Sequence, residues 1–427
     1  MKENAYRHTK YFVEECGERV AGTAAVLKAS DYILDFYQRN GIASETFDFQ
    51  VPVCSVRRSL LQVKKMGRWE DVPHTPALFC GQTPQQGMEL ALVYVEDGSV
   101  ANLRQVDVKG KAVLICRDVY MEYPDIDMYR RLAEYGAAAV LYTTSDGHWD
   151  LPYVYANYET MEEAFTIPTA VIHYRTALRL LQEGVEEIRL AIRFDVESGA
   201  TRNTIAVVAG RDRADETIVV CAHLDSALSS RGATDDVAGV AMIMELAKYY
   251  HELAKAGGGP RRTLRFIAWS GHECGLHGSK KYLLGNPAVR RSTRFVLNYD
   301  IVGNLLCNYA IVGGFSPAVE AEINGLVRSL KLDWPVTAAP MVVDTLSFAA
   351  DQIPHLTLTA GFCCGNHTKY DGLELIAPRG FENPVRFSRA VIDWAANAET
   401  VEQGYPQELY TAMRAEGKRY GWGLFDE

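Results

Sequence analysis

The stretch from Asn203 to about Ala398 constrains this chain most, because its apolar runs are continuous rather than alternating. Thr217-Ile-Val-Val-Cys-Ala222, Thr263-Leu-Arg-Phe-Ile-Ala-Trp269 and Arg294-Phe-Val-Leu-Asn-Tyr299 each read as a strand. A strand with one face in water alternates with period two, whereas a nearly continuous apolar run is buried on both faces. Between the first two runs, Val237 to Tyr250 is a mostly apolar helix. Buried strands joined by crossover helices form a mostly parallel sheet covered on both sides, which is an α/β fold. Ligands of such sheets bind in the crevice beyond the carboxyl ends of the strands.

A chain of 427 residues is too long for one core, since single cores stop growing near ~250–300 residues. Its texture changes accordingly. Up to about Val53 the pattern is helical through Lys28-Ala-Ser-Asp-Tyr-Ile-Leu-Asp-Phe-Tyr, stopped at Asn40-Gly41, then alternating through Glu45-Thr-Phe-Asp-Phe-Gln-Val. From Cys54 to Arg193 short strands and turn signals dominate. There Lys111-Ala-Val-Leu-Ile-Cys116 is a strand, Met128 to Tyr135 a helix, and Gly136-Ala-Ala-Ala-Val-Leu-Tyr142 a second strand closed by Ser145-Asp146-Gly147. This region predicts a β-rich domain with its own core. The tail after Glu399 reads as one further helix.

Charge narrows the partners. Lys+Arg 44 against Asp+Glu 54 gives a formal −10, which argues against nucleic acid or an anionic membrane as partner. No window approaches ~18 uninterrupted apolar residues, and the opening MKENAYRHTKYFVEEC has no apolar core of a signal peptide. The expectation is a cytoplasmic protein. Nine cysteines, scattered and without a CxxC pair, read as free thiols; Cys363-Cys364, the one cluster, reads as packing.

Residues that suit metal binding follow the strands. The first strand runs into His223-Leu-Asp225-Ser226, and Gly232-Ala-Thr-Asp235-Asp236 precedes the helix. Gly271-His272-Glu273-Cys-Gly275 follows the second strand and Asn298-Tyr-Asp300 ends the third. His367-Thr-Lys-Tyr-Asp371 comes after the strand-like Leu356-Thr-Leu-Thr359. Singly each has a plain explanation: a lone strand-end histidine is usually structural, and an acidic pair before a helix is usually a cap. Jointly, two imidazoles and three carboxylates at one edge of one sheet suit two divalent ions with one carboxylate bridging. Nitrogen and oxygen donors without thiolate favour zinc, with manganese or cobalt as alternatives. Gly275-Leu-His-Gly-Ser-Lys280 lacks P-loop spacing, Arg261-Arg262 and Arg290-Arg291 read as solvated strand edges, and His277 as packing.

In order, AHLDS, GATDDVAG, SGHECGLHGS, LNYD and NHTKYD resemble the motif series of the co-catalytic zinc aminopeptidases. That family also contains glutamate carboxypeptidases, glutaminyl cyclases and the transferrin receptor. ERVAGTAAVLKASDYILDFYQRNGIASETF resembles the family's N-terminal helix and strand, and GKAVLICRD with RRLAEYGAAAVLYTTSDG resembles the protease-associated domain that some members carry as an insert. The resemblance implies a three-layer αβα sandwich over residues 1–53 and 196–400, a β-rich protease-associated insert over 54–195, and a helical tail over 401–427. It further implies that Asp235 bridges two metals, His223 and Asp300 complete one site, and Glu273 and His367 the other. Asp225 would orient the His223 ring. Asp344 would lie near the substrate end of the cleft, and Gly275 and Gly278 at a helix start beside the metal loop.

Two positions depart from the family. Members usually carry two consecutive glutamates where this chain has His272-Glu273, so the ligand is kept and the general base becomes histidine. A neutral imidazole can accept a proton from metal-activated water near pH 7; it can also bind a metal itself, or mark a protein that has lost activity. Members often have a tyrosine before the last histidine; here Asn366 stands there, with an amide able to donate to an oxyanion. The expected function is hydrolysis of peptides by two metal ions, removing an N-terminal residue. A catalytically silent binding protein and a glutaminyl-cyclase-like acyltransferase are the rival readings.

Overall fold

The computed structural model describes residues 1–116, 126–143, 149–154, 166–361, 365–419 and 423–425. Cys363-Cys364 and the turn Ser145-Asp146-Gly147 lie outside the described residues. The chain divides into two compact units, one of residues 1–51, 199–366 and 371–427, the other of 52–198 and 367–370. Both crossings near residues 51 and 198 fall inside long strands, Ala43–Lys65 and Glu187–Val208. The tail expected as a separate segment belongs to the first unit: Met413 is fully buried and the Tyr405 hydroxyl donates to the Ala349 carbonyl at 3.1 Å.

The first unit is built on a mixed, mostly parallel sheet. Arg213–His223 lies at its centre, with Arg262–Trp269 parallel on one side and Thr293–Tyr299 parallel on the other. His355–Thr359 runs parallel to Thr293–Tyr299, Ala310–Gly314 is antiparallel to it, and Val336–Ala338 closes that edge. Alternation along the strands explains the layers. Ile218, Val220, Ala222, Leu264, Phe266, Ala268, Phe295 and Leu297 face one core, shared with the helices Ala24–Arg39, Ala238–Lys255 and Glu382–Asn397. Trp269 faces the other side, where its ring meets Tyr282 of the His277–Gly285 helix and Phe348 of the Leu346–Ala349 helix. The α/β architecture expected from the apolar runs is therefore present, with helices on both faces.

The expected strands and helices recur with ends shifted by a few residues. Lys2–Tyr11, which the opening charges disguised, is a helix continued by a wider, π-helical turn, Phe12–Cys16.

The second unit carries four parallel strands in the order Met88–Tyr94, Ala112–Cys116, Ala139–Thr143 and Thr169–Ile172. Val113, Leu114, Val140, Leu141 and Val171 are fully or almost fully buried there, with Met128 and Leu132 of the Ile126–Glu134 helix. These residues form a core of this unit.

Candidate metal centre

Register brings the site together. Trp269 pairs with His223, and Asn298 pairs with Cys221, so Asp300 comes level with His223. Three parallel strands thus end at one line, and the residues at and just past it are His223, Ser270 to Glu273, and Asp300. One ligand atom from each of His223, Asp235 and Glu273 lies within 4.8 Å of the others, and the same holds for His223, His272 and Asp300. All of these side chains are buried. Four of the five expected ligands converge in this way. His367, the fifth, is buried with φ of 56° and falls with Thr368–Tyr370 in the other unit; it is in neither grouping.

The loop between His223 and Asp235 is shaped by its neighbours. Gly232 has φ of 52°, and a Cβ there would sit 2.4 Å from the Asp235 carbonyl oxygen, so only glycine fits. The peptide bond Asp235-Asp236 is cis. Asp371 accepts from the Thr234 N–H at 2.8 Å, the Thr234 hydroxyl at 2.9 Å and the Asp235 N–H at 3.1 Å. From the N-terminal segment, fully buried Arg19 donates to the carbonyls of Leu224, Arg231 and Gly232 at 2.9, 2.7 and 3.1 Å. Neither Arg19 nor the clamp by Asp371 was singled out by the sequence reading. Asp371 ends the run Asn366-His-Thr-Lys-Tyr-Asp371; Arg19 lies about two hundred residues from the loop it ties down, which no local pattern reveals.

Two expected roles come out differently in geometry. His223 Nδ1 bonds the main-chain carbonyl of Asp225 at 3.0 Å, so that carbonyl, and not the Asp225 carboxylate, orients the ring. The carboxylate instead accepts the N–H groups of His272 and Glu273, each at 3.1 Å, and shapes the loop that delivers them. Its reach explains the exchange: two free N–H groups after a strand end attract a carboxylate more strongly than one imidazole already bonded. The Asn366 amide, expected to donate to an oxyanion, donates here to Asp235 at 3.4 Å and to the Thr234 hydroxyl at 3.5 Å.

Asp344 also finds a partner that the sequence did not give it. His272 Nδ1 meets Asp344 at 2.8 Å, and His272 Nε2 lies 3.7 Å from Asp300. The rings of His223 and His272 stack, centroids 3.9 Å apart and 7° from parallel. Asp236, beside the expected bridging residue, accepts from the His223 N–H at 3.3 Å while its Oδ1 has no hydrogen-bond partner among the described residues.

The electrostatics ask for positive charge. Burial, with further carboxylates nearby, lifts Asp300 to about 6 and Asp371 to about 7, and raises Asp236 well above the ordinary carboxyl value. Burial opposes charging His223, yet Asp235, Asp300 and Asp236 outweigh it and hold that imidazole well above its usual value. Burial and His223 likewise oppose charge on His272, and Asp344 and Asp300 overcome both, lifting it to about 9. Acids that resist losing protons and bases that hold them both signal a pocket short of cations. The donors fit a metal directly. His223 Nδ1 must carry its proton, because a carbonyl only accepts, so in the neutral ring the Nε2 lone pair faces Asp235 at 2.9 Å. Two acceptors in contact share a cation, either a proton or a metal ion. Bonds of ~2.0–2.1 Å to one tetrahedral ion would set its donors ~3.3 Å apart, between the 2.9 and 3.7 Å found here.

Comparison with known proteins points the same way. Residues 203–392 match the model of peptidase family M28. Carboxypeptidase Q of Xenopus laevis is 23% identical over 316 residues, covering 66% of this chain and 61% of the relative, so the chain spans about three fifths of that protein's length. Aminopeptidase YwaD of Bacillus subtilis is 24% identical over 370 residues, 82% of this chain and 72% of the relative. Among solved structures, a peptidase M28 precursor from Shewanella amazonensis superposes with a TM-score of 0.79 at 22% identity, over 95% of this chain and 96% of that one, which shows a shared fold. The matched residues hold every imidazole and carboxylate of the converging cluster, and through them the chain is similar to peptidase family M28.

Proposed function

We propose that this chain is a metal-dependent hydrolase of peptides that removes the N-terminal residue. The observation that carries the reading is the buried convergence of His223, Asp235, Glu273 and Asp300 at one edge of the sheet. The match to a peptidase family model supports peptides as substrate, and similarity to an aminopeptidase supports the direction of cleavage. Asp235 would lie between two ions, with His223 and Asp300 on one and Glu273 and His367 on the other; residues 54–195 would form a protease-associated insert. Divalent ions, zinc first with manganese or cobalt as alternatives, would polarise the scissile carbonyl and make water nucleophilic near neutral pH.

The chain's own residues supply position and proton traffic. Asp225 fixes the main chain of His272 and Glu273, and Asp371 fixes that of Thr234 and Asp235, so the donors are held before substrate arrives. A carboxylate-rich edge also attracts a terminal ammonium group. In the reading made from sequence, His272 accepts the proton of the attacking water. Its bond to Asp344 supports that role, because a base needs one fixed tautomer. The nearness of His272 Nε2 to Asp300 supports a second role, ligation.

The test is an assay of aminoacyl-p-nitroanilides and short peptides with zinc, manganese or cobalt. Release of the N-terminal residue, abolished by a chelator and by blocking the peptide's amino group, is expected. Failure to hydrolyse with every metal would leave a binding protein as the better reading.

A further inference from the structure

His272 stands where the family resemblance puts a base, but its surroundings are those of a ligand. Metal-bound histidines almost always give their other ring N–H to a carboxylate or carbonyl, which fixes the tautomer and aims the lone pair. His223 does this through the Asp225 carbonyl at 3.0 Å, and His272 does it through the Asp344 carboxylate at 2.8 Å. Both arrangements use Nδ1 and leave Nε2 for a metal.

The two Nε2 atoms meet the same cluster. His223 Nε2 faces Asp235 at 2.9 Å and His272 Nε2 faces Asp300 at 3.7 Å. One ring nitrogen from each histidine and one oxygen of Asp300 lie within 4.8 Å of one another. The rings stack with centroids 3.9 Å apart and 7° from parallel, so one of them must tilt for both lone pairs to meet a shared ion. A base that only touches the attacking water belongs one bond farther out, about 2.6–3.2 Å from that water.

We propose that His272 is a metal ligand, sharing one divalent ion with His223 and Asp300, and that Asp344 is the positioning residue behind it. With Asp235 as the bridging donor, His223, His272 and Asp300 would fill the four positions of a tetrahedral ion, so water or substrate would enter as a fifth donor. The proposal rests on the reading of this cluster as a metal centre. It replaces an expected proton acceptor with a donor that holds the ion. Gln or Ala in place of His272 removes that donor; Asn in place of Asp344 keeps the ring but can no longer accept as a carboxylate.

The experiment measures zinc stoichiometry and affinity by chelator competition for the wild-type chain, His272→Ala, His272→Gln and Asp344→Asn. Wild type is expected to bind two ions. His272→Ala and His272→Gln should each weaken one of them by more than ~100-fold, beyond the ~10–100-fold that loss of a residue behind a ligand costs. Asp344→Asn should weaken the same ion by ~10–100-fold. Should the variants fail to fold, cobalt-loaded wild type with labelled histidine decides. The His272 ring protons should be shifted far outside the normal range by the bound ion. Wild-type affinity for both ions in the His272 variants, or unshifted His272 protons, overturns the proposal and returns the ring to the role of base. No metal binding by wild type overturns the proposal together with the metal-centre reading. Two ions bound through His272 without hydrolysis sinks only the peptidase function.

Discussion

The two edges of one sheet carry charge in opposite ways. At the amino ends of the central strands, arginines meet carboxylates: Glu216 faces Arg262 at 2.6 Å, Arg294 at 3.4 Å and Arg213 at 3.7 Å, while Arg261 faces Asp212 at 3.1 Å. Burial opposes the Glu216 charge, yet Arg262 and Arg294 outweigh burial and hold its carboxyl below the usual range. At the carboxyl ends the carboxylates meet imidazoles, main-chain N–H groups and one another, and Asp300 is pushed up to about 6. The same residue types shift in opposite directions within one fold. The first edge is neutralised by cations the chain supplies; the second concentrates buried negative charge and costs stability until a cation arrives.

That contrast is best broken by Asp235→Asn. If the site edge exists for a cation, this variant should lose bound metal and lower hydrolysis by at least ~10³-fold, while the metal-free protein gains about 1 kcal/mol from relieved repulsion. Thermal melting with and without zinc reads both effects. A metal-free variant less stable than the metal-free parent would mean that Asp235 is part of the scaffold.

At the other edge, Arg262→Ala should cost about 2–4 kcal/mol with little change in hydrolysis per folded molecule. It strips the carbonyls of Ala395 and Ala398 of a buried donor as well as Glu216 of its partner. Urea unfolding measures the loss. A loss of activity without a loss of stability would contradict the division of labour between the edges.

His355, buried at the amino end of its strand, sharpens the contrast through pH. Burial pushes its imidazole down to about 4 against an ordinary value of 6.5, though its bond to the Ile353 carbonyl partly offsets this. Below pH 6.5 the unfolded chain takes up a proton that the folded chain refuses, so stability falls as pH drops from 6.5 toward 4. The difference of about 2.5 units corresponds to roughly 3 kcal/mol. His355→Asn, whose amide can still donate to Ile353, should remove that share of the acid sensitivity in melts at pH 7 and pH 5; an unchanged pH slope would show that the imidazole is protonated when folded.

The smallest effect is expected from Arg261→Ala, whose partners Asp212 and Glu399 are exposed. The melting temperature should not move measurably, since water screens such pairs. A clear drop would make this edge a cooperative network.

The sequence made the sheet legible because continuous apolar runs and helical spacing are local signals. Thr217 to Ala222 is the core of the strand Arg213–His223, and Val237 to Tyr250 the body of the helix Ala238–Lys255. Ligand-type residues were legible for the same reason, since each sits where a strand ends. What escaped was non-local. Lys2–Tyr11 is a polar helix whose burial comes from packing rather than composition. Arg19, Asp371 and Asp344 act on residues far away in sequence, and the Asp225 carboxylate was assigned to a ring when two main-chain N–H groups stood closer to its reach. Side-chain destinations depend on which donors are left unpaired, and that is decided only after the strands are in register.

The central claim is tested most directly by calorimetric titration of zinc into chelator-treated wild-type protein and Asp235→Asn. Tight uptake of two ions by the parent, lost in the variant, is the predicted result. A parent that takes up no more zinc than the variant would contradict it.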